Sequence, residues 1–304
     1  MKTMKLLPLS VIVFFLSYQP VTAQNQSGVD STGLPGDNFS LQGALQLFKD
    51  AASVEDFETA LNTEGNHVNN LDLNGDGQTD YVSVIDKTEK DAHAFILRAL
   101  VSPTESQDIA VIELEKTGPE NAVIQIVGDE DIYGEEVIVE PGDDSDDNAV
   151  SDMFTSTSSG PSPSFTKENA PIVINVWIWP SVRFVFGPVY HPWISPWRWS
   201  YYPGWWKPWR PVGWVVWHPF IRPFHHHFVV APLHRAVVAH RIYTPFRTTS
   251  VTVRTRHATV VGNYRVTRTK TRVTGPRGHT TTVRKTTVTG PRGGKATKVR
   301  VRRH

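Results

Sequence analysis

The sequence predicts an α+β protein: one or two helices and an antiparallel meander, then an irregular β segment rich in Pro and Trp, and a largely disordered basic tail. Three observations predict this class. Apolar residues first recur at helical spacing and then alternate with period two in short runs. All 10 Trp lie between Trp177 and Trp217. Residues 24–152 contain 29 acidic and 5 basic residues, whereas residues 169–304 contain 23 basic residues and no acidic one. So sharp a break predicts a domain boundary.

Residues 1–23 are predicted to be a signal peptide. Lys2 and Lys5 precede an apolar run from Leu6 to Ser17, and the small-residue site Val21-Thr22-Ala23 follows. We therefore expect an exported protein that is periplasmic, outer-membrane-associated or secreted. No later segment is apolar enough to predict a transmembrane helix after signal removal. The absence of cysteine excludes disulfides and thiol catalysis.

Residues 24–142 are predicted to form an acidic α+β domain. Leu41, Leu45 and Phe48 recur at helical spacing after Ser40, which can cap the first helix. Ser53 can cap a second helix that has two acidic residues in its first turn. Short β-branched runs separated by turn residues then predict a meander of about five antiparallel strands.

The stretch LDLNGDGQTDYVSV predicts a calcium site. It follows the pattern D-x-N-x-D-G-x-x-D, whose oxygen ligands would be Asp72, Asn74, Asp76, the Gln78 carbonyl and Asp80. The loop resembles the calcium loops of EF-hand and dockerin modules. Because a strand follows, it is still more similar to the loops of integrin-type FG-GAP repeats. Ser83 stands where an EF-hand has a bidentate Glu, which argues against a helix–loop–helix and against high affinity. We expect a structural calcium ion, because three carboxylates in one turn repel each other unless a cation screens them, and a single loop lacks the partner hand of a sensor. An Asn/Asp/Gly turn without a metal is the alternative.

Residues 143–170 are rich in Asp, Ser, Gly and Pro, which predicts a linker. Residues 171–246 are predicted to be a Trp/Pro/His-rich β segment. Alternating apolar residues from Ile172 to Gly187 predict two strands joined near Pro180. Frequent prolines from Pro188 onward exclude long helices and central strands there.

The tryptophans of this segment are interleaved with Arg198, Lys207 and Arg210, a combination typical of interfaces. The predicted interface residues are Trp193, Trp197, Trp199, Trp205, Trp206 and Trp209. The alternative is that these side chains pack as a core on the preceding strands. Predicted partners are an envelope protein, a second copy of the chain, or a surface polyanion such as lipopolysaccharide, a glycan or extracellular nucleic acid.

Three consecutive histidines, His225, His226 and His227, predict weak binding of zinc, nickel or copper. In an extended segment, the first and third of these imidazoles share a face. This half of the chain contains no carboxylate that could complete such a site.

Residues 247–304 form a basic Thr/Arg tail. VTVRTRH alternates with strand period, and Val273 to Gly278 returns as Val288 to Gly293, a 15-residue repeat that predicts strand, turn and strand. A basic tail binds polyanions by releasing counterions. Docking of the basic half on the acidic half is the alternative to separate partners, and the sequence favours separate partners because the tail has few apolar anchors.

These features together are similar to those of exported bacterial proteins, and that resemblance implies no reaction. We expect a non-enzymatic envelope or secreted protein with a structural calcium ion, which binds a partner through its aromatic and basic second half. One alternative is a periplasmic transition-metal-binding protein that uses the histidines. Another is a glycan-active enzyme, suggested by the acidic pair Glu130 and Glu135. Serine-hydrolase, zinc-protease and phosphate-loop motifs are absent.

Overall fold

The computed structural model describes residues 31–142, 173–274, 280–289 and 295–303. The predicted signal peptide and linker lie outside the described residues. Within them, the α+β class is confirmed, because short helices pack on a six-stranded antiparallel sheet. No helix in the described ranges is both long enough and apolar enough to cross a membrane.

Helices α1 (Leu41–Asp50) and α2 (Val54–Leu61) begin at the predicted caps. The hydroxyls of Ser40 and Ser53 each accept a hydrogen bond of 3.0 Å from the backbone N–H three residues later. Each bond satisfies a donor that the first turn of a helix leaves unpaired. Both helix starts are thus determined by local sequence.

The sheet contains the five predicted strands and one more. The predicted strands are β1 (Val82–Glu89), β2 (Ala92–Leu100), β3 (Ser106–Gly118), β4 (Asn121–Gly128) and β5 (Val137–Pro141), with the short helix α3 (Glu130–Tyr133) before the last. Each strand pairs antiparallel with the next. The sixth strand, β6 (Phe228–Ala231), comes from the second half of the chain and pairs with β5.

The two faces of the sheet carry different layers, because successive side chains of a strand point to opposite faces. On one face, Phe95 packs against Phe48 of α1 with ring centroids 5.1 Å apart, and both are fully buried. The other face carries a smaller cluster that includes Ala94, Ile96 and Val111. Helix α6 (Val237–Tyr243) covers this second face.

Both edges of the five-strand meander are covered by the second half of the chain. Strand β6 pairs with β5 at one edge. At the other edge, the Asp86 N–H of β1 donates to the Trp193 carbonyl at 2.7 Å, and the Ser195 N–H donates to the Val84 carbonyl at 3.0 Å. The backbone groups that an edge strand leaves unpaired are therefore satisfied here from within the chain.

The prediction of two strands between residues 172 and 187 is wrong. Residues 174–176 are irregular, and Pro180–Val185 form helix α4. Pro180 lies at the start of this helix, where the missing N–H of proline costs nothing. Val182 and Val185 are buried in the core, and this packing overrides the alternating pattern. A second short helix, α5 (Trp214–Ile221), follows the irregular proline-rich stretch.

The tail contains more regular structure than the sequence predicted. The alternating stretch that begins at Val251 forms helix α7 (Val251–Asn263) and not a strand, because the Ser250 hydroxyl caps it by accepting from the Val253 N–H at 3.1 Å. A three-stranded antiparallel sheet follows, made of β7 (Arg265–Thr274), β8 (Thr280–Thr289) and β9 (Lys295–Arg303). The strands of the repeat are thus confirmed, and its predicted turns lie outside the described residues.

Part of the basic half is docked on the acidic half. Arg235 contacts Glu140 at 2.7 Å, and Arg247 contacts Asp129 at 2.6 Å with a second bond of 3.1 Å. Both carboxylates are buried, which requires that their charges be paired. The expectation that the tail would stay available to a separate partner is wrong for residues 247–256, since Arg247, Ser250 and Arg256 bond to the acidic half. It stays a prediction for the strands of the tail.

Candidate functional site

The predicted calcium loop, residues 72–80, is wrapped around the Asp72 carboxylate. This carboxylate accepts hydrogen bonds from the N–H groups of Gly75, Asp76 and Gly77 at 2.6, 3.1 and 2.9 Å. Gly75 and Gly77 have φ angles of +72° and +82°, which glycine adopts without steric cost. The Gln78 N–H donates to Asp76 at 2.8 Å. The loop sequence thus produces a tight turn that concentrates oxygen atoms.

Asp80, the last predicted ligand, is buried at 5% exposure and accepts from the Leu73 N–H at 2.6 Å. Burial, together with the charges of Asp72 and Asp76, raises the pKa of Asp80 to about 8. A carboxyl in this position favours either a proton or a neighbouring cation. However, Asp72, Asp76 and Asp80 do not form a group whose ligand oxygens all lie within 4.8 Å of one another. Calcium binding there stays a prediction.

The histidine tract does not have the geometry on which the metal prediction was based. Residues Arg222–His226 form a 3-10 helix, so His225 and His227 do not share a face of an extended strand. Burial lowers the pKa of His225, while His226 and His227 are exposed. In the described part of the chain, none of the three belongs to a group of three close metal-ligating side chains.

The predicted tryptophan interface divides into core and surface. Trp206 is buried against Tyr202 and Tyr81, with ring centroids 4.5 and 5.1 Å away, so this residue belongs to the core, although not on the strands that the core alternative assumed. Trp205 is 51% exposed. The remaining four, Trp193, Trp197, Trp199 and Trp209, are half-buried. These five residues stay candidates for an interface.

Buried polar groups hold the aromatic segment, defined as residues 177–217, which contain all ten tryptophans, on the acidic half. Glu58 of α2 is 2% exposed and accepts four hydrogen bonds, two of them from the Trp193 indole at 2.9 Å and the Ser195 hydroxyl at 2.7 Å. Asp86 accepts from the Tyr190 hydroxyl at 2.7 Å. The N–H and hydroxyl of Thr79, at the end of the calcium loop, donate to the Trp209 carbonyl at 2.8 and 3.0 Å. The segment therefore has a fixed conformation despite its lack of regular structure.

A small pocket lies where this segment meets α2. Its lining combines indoles with carboxylates: Glu55, Glu58, Thr59, Tyr81, Trp193, Trp197 and Trp205. Glu58 is saturated by its four donors, whereas Glu55 is exposed at the rim. The cavity has a volume of about 20 Å³, which is room for a water molecule and not for a larger ligand.

Large exposed apolar side chains lie in the second half of the described chain. Among the side chains that the structure describes, every exposed large apolar one lies between Val173 and Val251. Val215, Val189 and Ile178 are 84, 77 and 74% exposed. Large apolar surface of this kind marks binding sites more often than single exposed residues do.

Sequence reasoning missed a group formed by Glu113, His234 and His240. Their potential ligand atoms all lie within 4.8 Å of one another, and among the described residues this is the one such group of three. Glu113 is fully buried on β3, and the Glu113 and Glu136 carboxylates raise the pKa of His234 to about 9 against the opposing effect of burial. The sequence did contain one signal for this group. The alternation I-E-L-E places Glu113 and Glu115 on one face of a central strand, where each carboxylate needs a cationic or hydrogen-bonding partner.

No family model, no curated protein and no solved structure matches this chain.

Proposed function

We propose that this chain is a non-enzymatic exported envelope or secreted protein that binds another protein, or a second copy of itself, through its aromatic segment. The observation that supports this proposal is the set of exposed large apolar side chains within the aromatic segment, among them Ile194, Tyr201 and Trp205. Exposed apolar side chains do not stabilise a soluble monomer, because apolar area contributes favourable free energy only when a partner covers it.

The way in which the segment is held favours binding. Proline restricts its backbone, and Glu58, Asp86 and Thr79 fix it to the acidic half. A surface that is already ordered loses little conformational entropy when a partner binds. Exposed Trp205 and Tyr201, with Arg198 5.7 Å from the Tyr201 ring, are also the residue types that contribute most binding energy at protein interfaces.

The calcium loop and the tail have supporting roles in this proposal. A calcium ion bound by residues 72–80 would stiffen the loop whose Thr79 holds the Trp209 carbonyl, so it would act structurally on the aromatic segment. The Lys- and Arg-rich tail would add salt-dependent attraction to anionic envelope polymers.

The test compares two triple variants of the mature chain that are matched in exposure. Ile194→Ser, Tyr201→Ser and Trp205→Ser remove side chains of the aromatic segment that are 63, 59 and 51% exposed. The control carries Val230→Ser, Leu233→Ser and Val237→Ser, with exposures of 47, 60 and 60%. Binding to isolated envelope protein fractions is measured together with self-association by sedimentation velocity.

We expect the aromatic variant to weaken protein binding or self-association by about tenfold or more, because each anchor residue of an interface contributes more than about 1 kcal/mol. The control variant should bind like the unmodified chain. Equal binding by both variants would refute the proposal. Binding that is abolished by heparin and is unaffected by the aromatic substitutions would assign the interaction to the basic tail.

A further inference from the structure

Glu113 occupies an unusual position for an acidic residue. It lies in the middle of β3, paired with Ala94 of β2 on one side and Gln125 of β4 on the other, and its side chain is completely buried. Transfer of a carboxylate from water to such a position is costly unless cationic or hydrogen-bonding groups compensate it. The groups that face Glu113 therefore have to supply positive charge.

Two imidazoles from the second half of the chain face this carboxylate. His240 of α6 places Nδ1 2.7 Å from one oxygen of Glu113, which is a hydrogen bond. His234 places its Nδ1 3.5 Å from the other oxygen, Oε2. Neither Glu113 Oε2 nor His234 Nδ1 has a hydrogen-bond partner or access to solvent among the residues described. These two buried atoms lie 3.5 Å apart, which is within ion-pair distance and longer than a well-formed hydrogen bond.

The dimensions of this gap suit a metal ion. Zinc binds imidazole nitrogen and carboxylate oxygen at about 2.0–2.2 Å, so neighbouring ligands in a tetrahedral site lie about 3.3–3.5 Å apart. The 3.5 Å separation of His234 Nδ1 and Glu113 Oε2 fits this spacing. The two imidazole rings lie side by side, with centroids 4.1 Å apart.

The second ring nitrogen of His234, Nε2, has the kind of partner that histidine ligands have in metal sites. Its Nε2 lies 3.1 Å from a carboxylate oxygen of Glu136. A histidine ligand commonly donates its second N–H to a carboxylate, which fixes the ring orientation and strengthens the ligand nitrogen. Nδ1 of His234 is thereby left to face Glu113.

The backbone that carries both histidines is fixed on either side of the group. Glu115, two residues beyond Glu113 on the same face, accepts from the N–H groups of Val238 and Ala239 at 2.5 and 2.9 Å. Arg235 is bound to Glu140 and, through its N–H, to the Gln125 side chain at 2.6 Å. Because the backbone is fixed on both sides of the group, the ligands lose less conformational freedom when they assemble around an ion.

We propose that Glu113, His234 and His240 bind one zinc(II) ion, with solvent at the fourth position. Two imidazoles and one carboxylate are a ligand set that zinc favours, and the partial exposure of both histidines, 25 and 32%, leaves room for water. The ion would also join the acidic half to the second half, because Glu113 belongs to one and both histidines belong to the other. This site is independent of the proposed aromatic interface.

The test uses the full mature chain, stripped of metal with a chelator and titrated with zinc in competition with a chromogenic zinc indicator. Bound metal is counted by elemental analysis. We expect one zinc ion per chain. Glu136→Gln should weaken binding by about 10- to 100-fold, the usual effect of losing a group that orients a ligand. His240→Gln and Glu113→Gln should each weaken it by more than Glu136→Gln does.

The matched control replaces His225, His226 and His227 with alanine, which removes three histidines that lie outside the group. It should bind zinc like the unmodified chain. Circular dichroism verifies that each variant is folded, and His240→Gln carries the test if Glu113→Gln unfolds, because the His240 side chain is 32% exposed. Failure of the unmodified chain to bind stoichiometric zinc would overturn the proposal. So would zinc binding that survives in His240→Gln and is lost in the control.

Discussion

The contact between Glu58 and the aromatic segment makes a specific prediction about two substitutions. Each oxygen of Glu58 accepts two hydrogen bonds. One accepts from the hydroxyls of Tyr81 and Ser195 at 2.8 and 2.7 Å, and the other accepts from the Val84 N–H and the Trp193 indole at 3.0 and 2.9 Å. One oxygen thus faces two hydroxyls, and the other faces two N–H groups.

Glu58→Gln should be tolerated. Its NH₂ group can face the two hydroxyls, which can reverse their roles and accept, while its oxygen still accepts from the two N–H groups. Burial raises the pKa of Glu58, so a charge at this position is less favourable in the folded state than in the unfolded chain, and its removal costs little. We expect a change in unfolding free energy within about 1 kcal/mol.

Glu58→Leu should be severe, because leucine has a similar size and no acceptor. The Val84 N–H and the Trp193 indole N–H would lose their partner, and each buried donor left unpaired costs about 1–3 kcal/mol. The expected loss is therefore about 2–6 kcal/mol. The pH dependence of stability tests the direction of the Glu58 pKa shift. A carboxyl with a raised pKa in the folded state destabilises that state above its unfolded pKa, so the unmodified chain should gain stability relative to Glu58→Gln as pH falls.

The measurement is urea unfolding of the mature chain, followed by far-UV circular dichroism and by tryptophan fluorescence, which reports release of the aromatic segment. A Glu58→Leu variant within about 1 kcal/mol of the unmodified chain would refute the anchoring argument. A Glu58→Gln variant as unstable as Glu58→Leu would show instead that the charge is essential.

Two further predictions concern the calcium loop and an ion pair between the halves. Millimolar calcium, about ten times a dissociation constant on the order of 10⁻⁴ M, should stabilise the mature chain by about 1.4 kcal/mol, and a thermal melt of Asp76→Ala should not respond to calcium. An identical response in both proteins would exclude this loop as the site. Arg247→Met should destabilise the chain by about 2–4 kcal/mol, because it leaves the buried Asp129 carboxylate, which now receives two bonds from Arg247, without its cation. A urea midpoint equal to that of the unmodified chain would contradict this reasoning.

Features encoded within a few residues were predictable. Ser40 and Ser53 cap the first two helices, and period-two alternation identified five strands, because each signal involves residues that are neighbours in the chain. The Ser250 cap is a signal of the same kind. It was overlooked because the alternation after it favoured a strand.

Features that depend on distant residues were not predictable from pattern alone. Helix α4 has apolar residues at most positions, and only its packing on the core distinguishes a helix from a strand. Strand β6 is four residues long and lies between histidines and prolines, so its pairing with β5 carries no local signal. The group of Glu113 and His234 joins oppositely charged halves, and the sequence argument treated these halves as separate.

Both edge strands of the meander pair with residues of the second half of the chain, and this affects the order of folding. During synthesis the five-strand meander emerges first, and its β5 edge stays open until Phe228 and the residues after it follow. The β1 edge stays open until Trp193 and Ser195 are available. A chain truncated near residue 142 would therefore expose two strand edges able to pair with other copies. Because the second half of the chain covers both edges, we expect fragments that lack it to aggregate.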